Sequence, residues 1–98
     1  MILTERSTEQ GLLVTVCDSD ALGQTFEDEE RGVSLDVTES FYGGETADPP
    51  AVRDALDRAQ VANIVGTRSV ELAVEAGVVD EENVLEIDGT LHAQYLRL

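Results

Sequence analysis

Gly11-Leu12-Leu13-Val14-Thr15-Val16-Cys17 is the stretch on which the fold turns. A strand with one wet face alternates apolar and polar residues, because successive side chains point to opposite sides of a sheet. Here apolar residues fall on both sides, as in a strand covered above and below. The segment predicts a central strand packed on two faces. Residues 2–6 precede it across a polar turn, residues 7–10, and read as its hairpin partner.

Outward from this strand, Asp18-Ser19-Asp20 offers helix caps for a short helical turn through Leu22, closed by Gly23. After an acidic loop, Val33-Ser34-Leu35-Asp36-Val37-Thr38 alternates cleanly and predicts a strand with one buried face. Residues 39–50 form the longest irregular stretch. Asp48-Pro49-Pro50 closes it, with proline where a helix's first turn tolerates a missing N–H. Val52, Ala55, Leu56, Ala59 and Asn63 then share one face at helical spacing. A break at Val65-Gly66-Thr67 starts a second helix, capped by Thr67, with the stripe Val70, Ala73, Val74 and its end at Gly77. Residues 84–87 and 91–97 flank Asp88-Gly89, a hairpin signal. The expected architecture is α+β: a single small domain, residues 1–98, with a mainly antiparallel sheet of about five strands backed by a helical pair.

Ninety-eight residues suit one thin core; a chain of this size buries only about 60–65% of its unfolded surface. The chain carries 21 Asp and Glu against 6 basic residues, all arginine, for a formal charge of −15. Such a balance excludes ordinary electrostatic capture of nucleic acid or anionic membrane. With 42% hydrophobic residues the chain nevertheless has the means to fold. Self-repulsion on this scale fades in molar salt, where the Debye length is about 3 Å. The lysine-free acidic composition resembles that of proteins from salt-accumulating halophilic archaea. Runs such as Glu27-Asp28-Glu29-Glu30 then read as solvated surface. The lone Cys17 fits a reducing compartment, and neither a signal peptide nor a long apolar run is evident, so a soluble cytoplasmic protein is expected.

The chemistry-bearing residues fall into small groups. Cys17 and Asp18 sit where a strand feeds a helix start, where a thiol can be activated as a nucleophile. Asp18 opposes that by raising the thiol pKa, and a buried strand cysteine beside a capping residue explains the pair more simply. Phe41, Tyr42, Gly43 and Gly44 place two of the four aromatics on the longest loop beside a glycine pair, the best candidate for a binding surface. Asn63, Gly66, Thr67 and Arg68 mark a helix start where backbone N–H groups could hold an anion, although an Asn cap and a helix–helix turn account for them more simply. His92 and Gln94 stand two apart on one face of the last strand and could read one ligand together. One His and one Cys fall short of ordinary zinc ligation, so no metal and no cofactor are expected.

Val14-Thr15-Val16-Cys17-Asp18 with Leu22-Gly23, Phe41-Tyr42-Gly43-Gly44, Ala62-Asn63-Ile64-Val65-Gly66, Glu82-Asn83-Val84-Leu85 and His92-Ala93-Gln94 keep the order of a pattern that spans nearly the whole chain. In these blocks the chain resembles the archaeal family catalogued as domain of unknown function 424. The resemblance implies an archaeal, single-domain protein and an accessory role in translation or ribonucleoprotein function, without assigning any residue a task. The function expected is a non-catalytic binding or adaptor module for a protein or ribonucleoprotein partner, with direct RNA contact less favoured. Its surface would use Phe41, Tyr42, Gly43, Gly44, Asn63, His92 and Gln94. The alternative is a small enzyme using His92 as general acid–base with Cys17 or Asp18, which requires those groups to converge on one pocket.

Overall fold

The two-sided strand does lie at the centre. The chain runs β1 (Ile2–Thr8), β2 (Gly11–Cys17), β3 (Thr25–Asp28), β4 (Val33–Asp36), α1 (Glu39–Tyr42), β5 (Glu45–Thr46), α2 (Pro49–Arg58), β6 (Val61–Val65), α3 (Thr67–Glu75), a 3-10 turn at Glu81–Asn83, β7 (Leu85–Ile87) and β8 (Thr90–Leu96). In the computed structural model, which describes residues 1–97, six strands form one mixed sheet in the order β5-β1-β2-β6-β8-β7. All neighbours are antiparallel except β2 and β6. A second sheet of two strands, β3 and β4, pairs antiparallel across the chain's most acidic run.

Alternation along each strand separates two cores. Val14, Val16, Ala62, Ile64 and Ala93 point to one side, where they pack with Val52, Ala55, Leu56, Val70, Leu72 and Ala73 of α2 and α3. Cys17 and Val65 point to the other, into a smaller cluster with Ala21, Val37 and Tyr42. The helical pair behind the sheet is as expected, and Asp48 opens α2 by accepting from the Ala51 N–H at 3.2 Å, with Pro49 following it. The Tyr95 hydroxyl donates to the Leu56 carbonyl, tying β8 to α2.

Several boundaries differ from expectation. The helix does not reach Asn63: it ends at Arg58, Ala59 is already extended, and Val61–Val65 is β6. A short apolar run fits a helix face or a two-sided strand equally by spacing; here hydrogen bonding to β2 and β8 decides it. The two helices are therefore separated by a strand and form no αα-hairpin. Residues 39–50 contain α1 and the two-residue edge strand β5 instead of one long loop. The acidic loop contains β3, whose Phe26 faces the smaller core. Residues 18–23 make successive turns, with Ala21 N–H bonded to Asp18 O and Gln24 N–H to Ala21 O, in place of a helix. The final hairpin turns at Asp88-Gly89, both with positive φ, as two-residue hairpins of the primed type require.

Candidate functional site

Strand register lays the non-helical face of the sheet out in three rows, because directly paired residues point the same way. The first row is Ile2, Cys17, Val65, His92 and Leu85. The second, two residues along, is Thr4, Thr15, Asn63 and Gln94; the third is Arg6, Leu13, Val61 and Leu96. The β3–β4 hairpin and α1 cover the first row on the β2–β6 side, burying Cys17 and Val65. Cover thins beyond it: Asn63, Leu13 and Val61 are half-buried, Gln94 is exposed, and Leu96 is 60% exposed. No residue of the second or third row is acidic, in a chain with 21 acids.

Asn63 and Gln94, predicted on a helix and a strand, are thus direct cross-strand partners on this open strip. His92 stands beside Gln94 and lines a cleft of about 540 Å³ together with Leu35, Asn83 and Leu85. Its Nδ1 lies 3.0 Å from the Ile64 carbonyl. A carbonyl only accepts, so Nδ1 is the donor in this contact.

The aromatic loop divides. Phe41 is half-buried at the margin of the strip, with the Arg6 guanidinium 5.4 Å from its ring centre and its carbonyl accepting from Thr15 Oγ1 at 3.3 Å and Arg6 Nη2 at 3.2 Å. Tyr42 is 4% exposed in the smaller core, where burial pushes its phenol up to about 12. It therefore plugs the core and offers no contact surface. Gly43 and Gly44 serve close backbone packing: a Cβ on Gly44 would lie 2.3 Å from the Leu3 carbonyl oxygen, and one on Gly43 equally near that of Glu39. Their smallness seats α1 and β5 against the sheet edge, with Thr4 Oγ1 donating to the Gly43 carbonyl at 2.8 Å.

The expected acid–base group does not assemble. Cys17 is fully buried, and burial, then the neighbouring Asp18 charge, pushes its thiol up to about 11. Val65 stands between it and His92 in the first row. Asp18 crosses instead to the start of α3. Its Oδ1 accepts from Ser69 N–H at 2.9 Å and Ser69 Oγ at 2.7 Å, and its Oδ2 from Arg68 N–H at 3.1 Å. The anion anticipated at Gly66, Thr67 and Arg68 is the protein's own carboxylate. Gly66 occupies the cap position assigned to Thr67, and glycine is required there: φ is +110°, and a Cβ would lie 2.3 Å from Asp18 Cγ.

Sequence reasoning missed Arg6, Leu13, Val61 and Leu96. Their signal is a run of positions without a carboxylate recurring on four strands, visible once register is known. Among the described residues, no group of three or more His, Cys, Asp or Glu is placed to hold a metal ion.

Fold and site together define a small α+β domain with one helical face closed and one face half open. Residues 5–98 match the family model described as "Protein of unknown function (DUF424)", and the chain belongs to that family. A crystal structure of an uncharacterized conserved protein from Methanopyrus kandleri is similar, at 25% identity and a TM-score of 0.78, over 99% of this chain and 92% of that one. No curated protein matches.

Proposed function

We propose that this chain is a non-catalytic binding module that receives a protein or ribonucleoprotein partner on the open strip of its sheet. The observation that carries this is the Asn63–Gln94 cross-strand pair, set between Phe41 and the exposed Leu96 in a strip whose own positions carry no carboxylate, with Glu82 at its margin. Two neighbouring amides present donors and acceptors side by side, and the flanking apolar groups supply area that excludes water. The similar protein from Methanopyrus kandleri supports an archaeal origin. The lysine-free charge of −15 supports life in concentrated salt, and the single buried thiol a reducing cytoplasm. In such salt the counterion-release contribution to nucleic-acid binding shrinks, which favours contact with a protein component. An accessory role in translation is the partner context we favour.

The test is sedimentation of tagged protein from native lysate at the cell's own salt, with and without nuclease. Co-migration with ribosomal subunits or initiation complexes is expected. The double variant Asn63→Ala, Gln94→Ala should fold with stability changed by about 0.5 kcal/mol or less per site, yet lose most partner recovery. Undiminished recovery by that variant, and by Phe41→Ala, overturns the binding strip. Migration as free protein removes the translation context.

A further inference from the structure

The outer edge of β8 is unfinished. Arg97 N–H donates to the Gln60 carbonyl and the Leu91 carbonyl accepts from Gly66 N–H, each at 2.8 Å, so odd-numbered residues of β8 turn their backbone towards β6. Backbone groups alternate along an antiparallel strand, so His92, Gln94 and Leu96 turn theirs outward. β7 ends at Leu85, opposite His92. Beyond that point, Gln94 and Leu96 have no strand partner on this side among the described residues.

Proteins ordinarily guard such an edge with charge, proline or a bulge. Ala93-Gln94-Tyr95-Leu96 contains no charge and no proline. The two most exposed large hydrophobic side chains among the described residues, Leu85 at 45% and Leu96 at 60%, both lie along this edge and on the same face.

We propose that this edge pairs antiparallel with the same edge of a second copy of the chain, joining two six-stranded sheets into one. A molecule of charge −15 meets its own copy most easily where carboxylates are few; residues 93–96 carry none, and Glu82 lines the cleft beside Gln94. The surface is also self-complementary, as a two-fold contact requires. In the register that sets Leu96 opposite its symmetry mate, outward-turned backbone groups exchange hydrogen bonds at that pair, and the two exposed leucines cover one another. The same register places Arg97 across from Tyr95 of the second copy. Within one copy Arg97 already lies 5.3 Å from the Tyr95 ring centre, so the cation and the ring are suited to each other. The open strip of Asn63 and Gln94 then runs on from one copy to the next. The pairing stands on backbone and exposure alone and does not depend on the binding role proposed above.

The experiment is analytical ultracentrifugation across protein concentration, in low and in molar potassium chloride. The expected result is a shift from the 10.6 kDa monomer towards twice that mass, stronger in high salt, where self-repulsion is screened. Leu96→Arg puts two like charges face to face and should weaken association about tenfold or more. Thr46→Arg, the same kind of charge change on the exposed opposite edge strand, should leave it unchanged. Amide exchange at Leu96 should slow as the wild-type concentration rises. A monomer at every salt and concentration overturns the proposal, whether or not a different protein binds this edge. A dimer that survives Leu96→Arg, with fast wild-type exchange at the Leu96 amide, also overturns it.

Discussion

The two faces of the sheet are built from the same strands and finished differently. On the helical face, Val14, Val16, Ala62, Ile64 and Ala93 meet two helices of ten and nine residues, and the core closes over the full width of β2, β6 and β8. On the other face the cover consists of one four-residue helix and a hairpin of four-residue strands. At about 3.3 Å per strand residue and 1.5 Å per helical residue, these elements span the row of Cys17 and Val65 and reach little further. Stability is thus concentrated on one side of the sheet and accessible surface on the other. Polar residues in the second row, Thr15 and Asn63, are tolerated because each lies near water or another polar group: Thr15 hydrogen-bonds the Phe41 carbonyl and Asn63 neighbours Gln94.

The largest expected effect tests this contrast directly. Leu56→Ala, at a fully buried position of the helical core, should cost about 2–5 kcal/mol, whereas Leu96→Ala on the open face, at protein concentrations dilute enough to keep the chain monomeric, should cost about 0.5 kcal/mol or less. Denaturant melts in molar salt read both values. Equal losses would mean that the open face is covered in solution, which concentration dependence would then trace to self-pairing.

Next in size is the junction that links the faces. Asp18→Ala leaves the buried Ser69 N–H and hydroxyl without their acceptor and uncaps α3, at a cost of about 2–4 kcal/mol. Asp18→Asn, which keeps one carbonyl oxygen, should lose less. Amide exchange at Arg68 and Ser69 should quicken in both variants. Unchanged exchange would show that α3 starts independently of Asp18.

The smallest effect near neutral pH belongs to the covered row. Cys17 and Tyr42 both hold their protons more tightly folded than unfolded, chiefly through burial. Their contribution to stability should therefore be flat below the ordinary thiol value of 9.0, decline as pH rises from there towards about 11, and decline further as Tyr42 passes from 10.0 towards about 12. Cys17→Ala should remove the first part of that decline. In the native protein, alkylation of Cys17 should be slow and governed by opening of the fold. Rapid alkylation at neutral pH would reveal an accessible thiolate and revive an enzymatic role for the His92 side.

Much of this was legible in particular stretches. Leu12 to Cys17 announced a strand buried twice over, Asp48-Pro49 announced the start of α2, and Asp88-Gly89 announced the last hairpin. The errors share a cause. Ala59 and Asn63 are four apart, which imitates a helix face, while Val61-Ala62-Asn63-Ile64-Val65 is equally a strand apolar on both sides. Phe41 and Tyr42 are adjacent and chemically alike, yet Tyr42 fills the core and Phe41 edges the open strip. Asp18 could cap the turn after its own strand or a distant helix, and the distance of 51 positions to Ser69 is invisible locally.

By itself, then, the sequence determined the α+β class, the acidic surface, the central strand, the hairpin and the apolar stripes of both helices. These follow from local alternation, turn chemistry and charge, which operate over a few residues. The tertiary structure alone decided that β6 lies parallel to β2, that Asn63 faces Gln94, that Asp18 holds α3, and that the end of β8 stands open. Those outcomes depend on hydrogen bonds and packing between segments tens of residues apart, where the partner is chosen by the closing of the whole sheet.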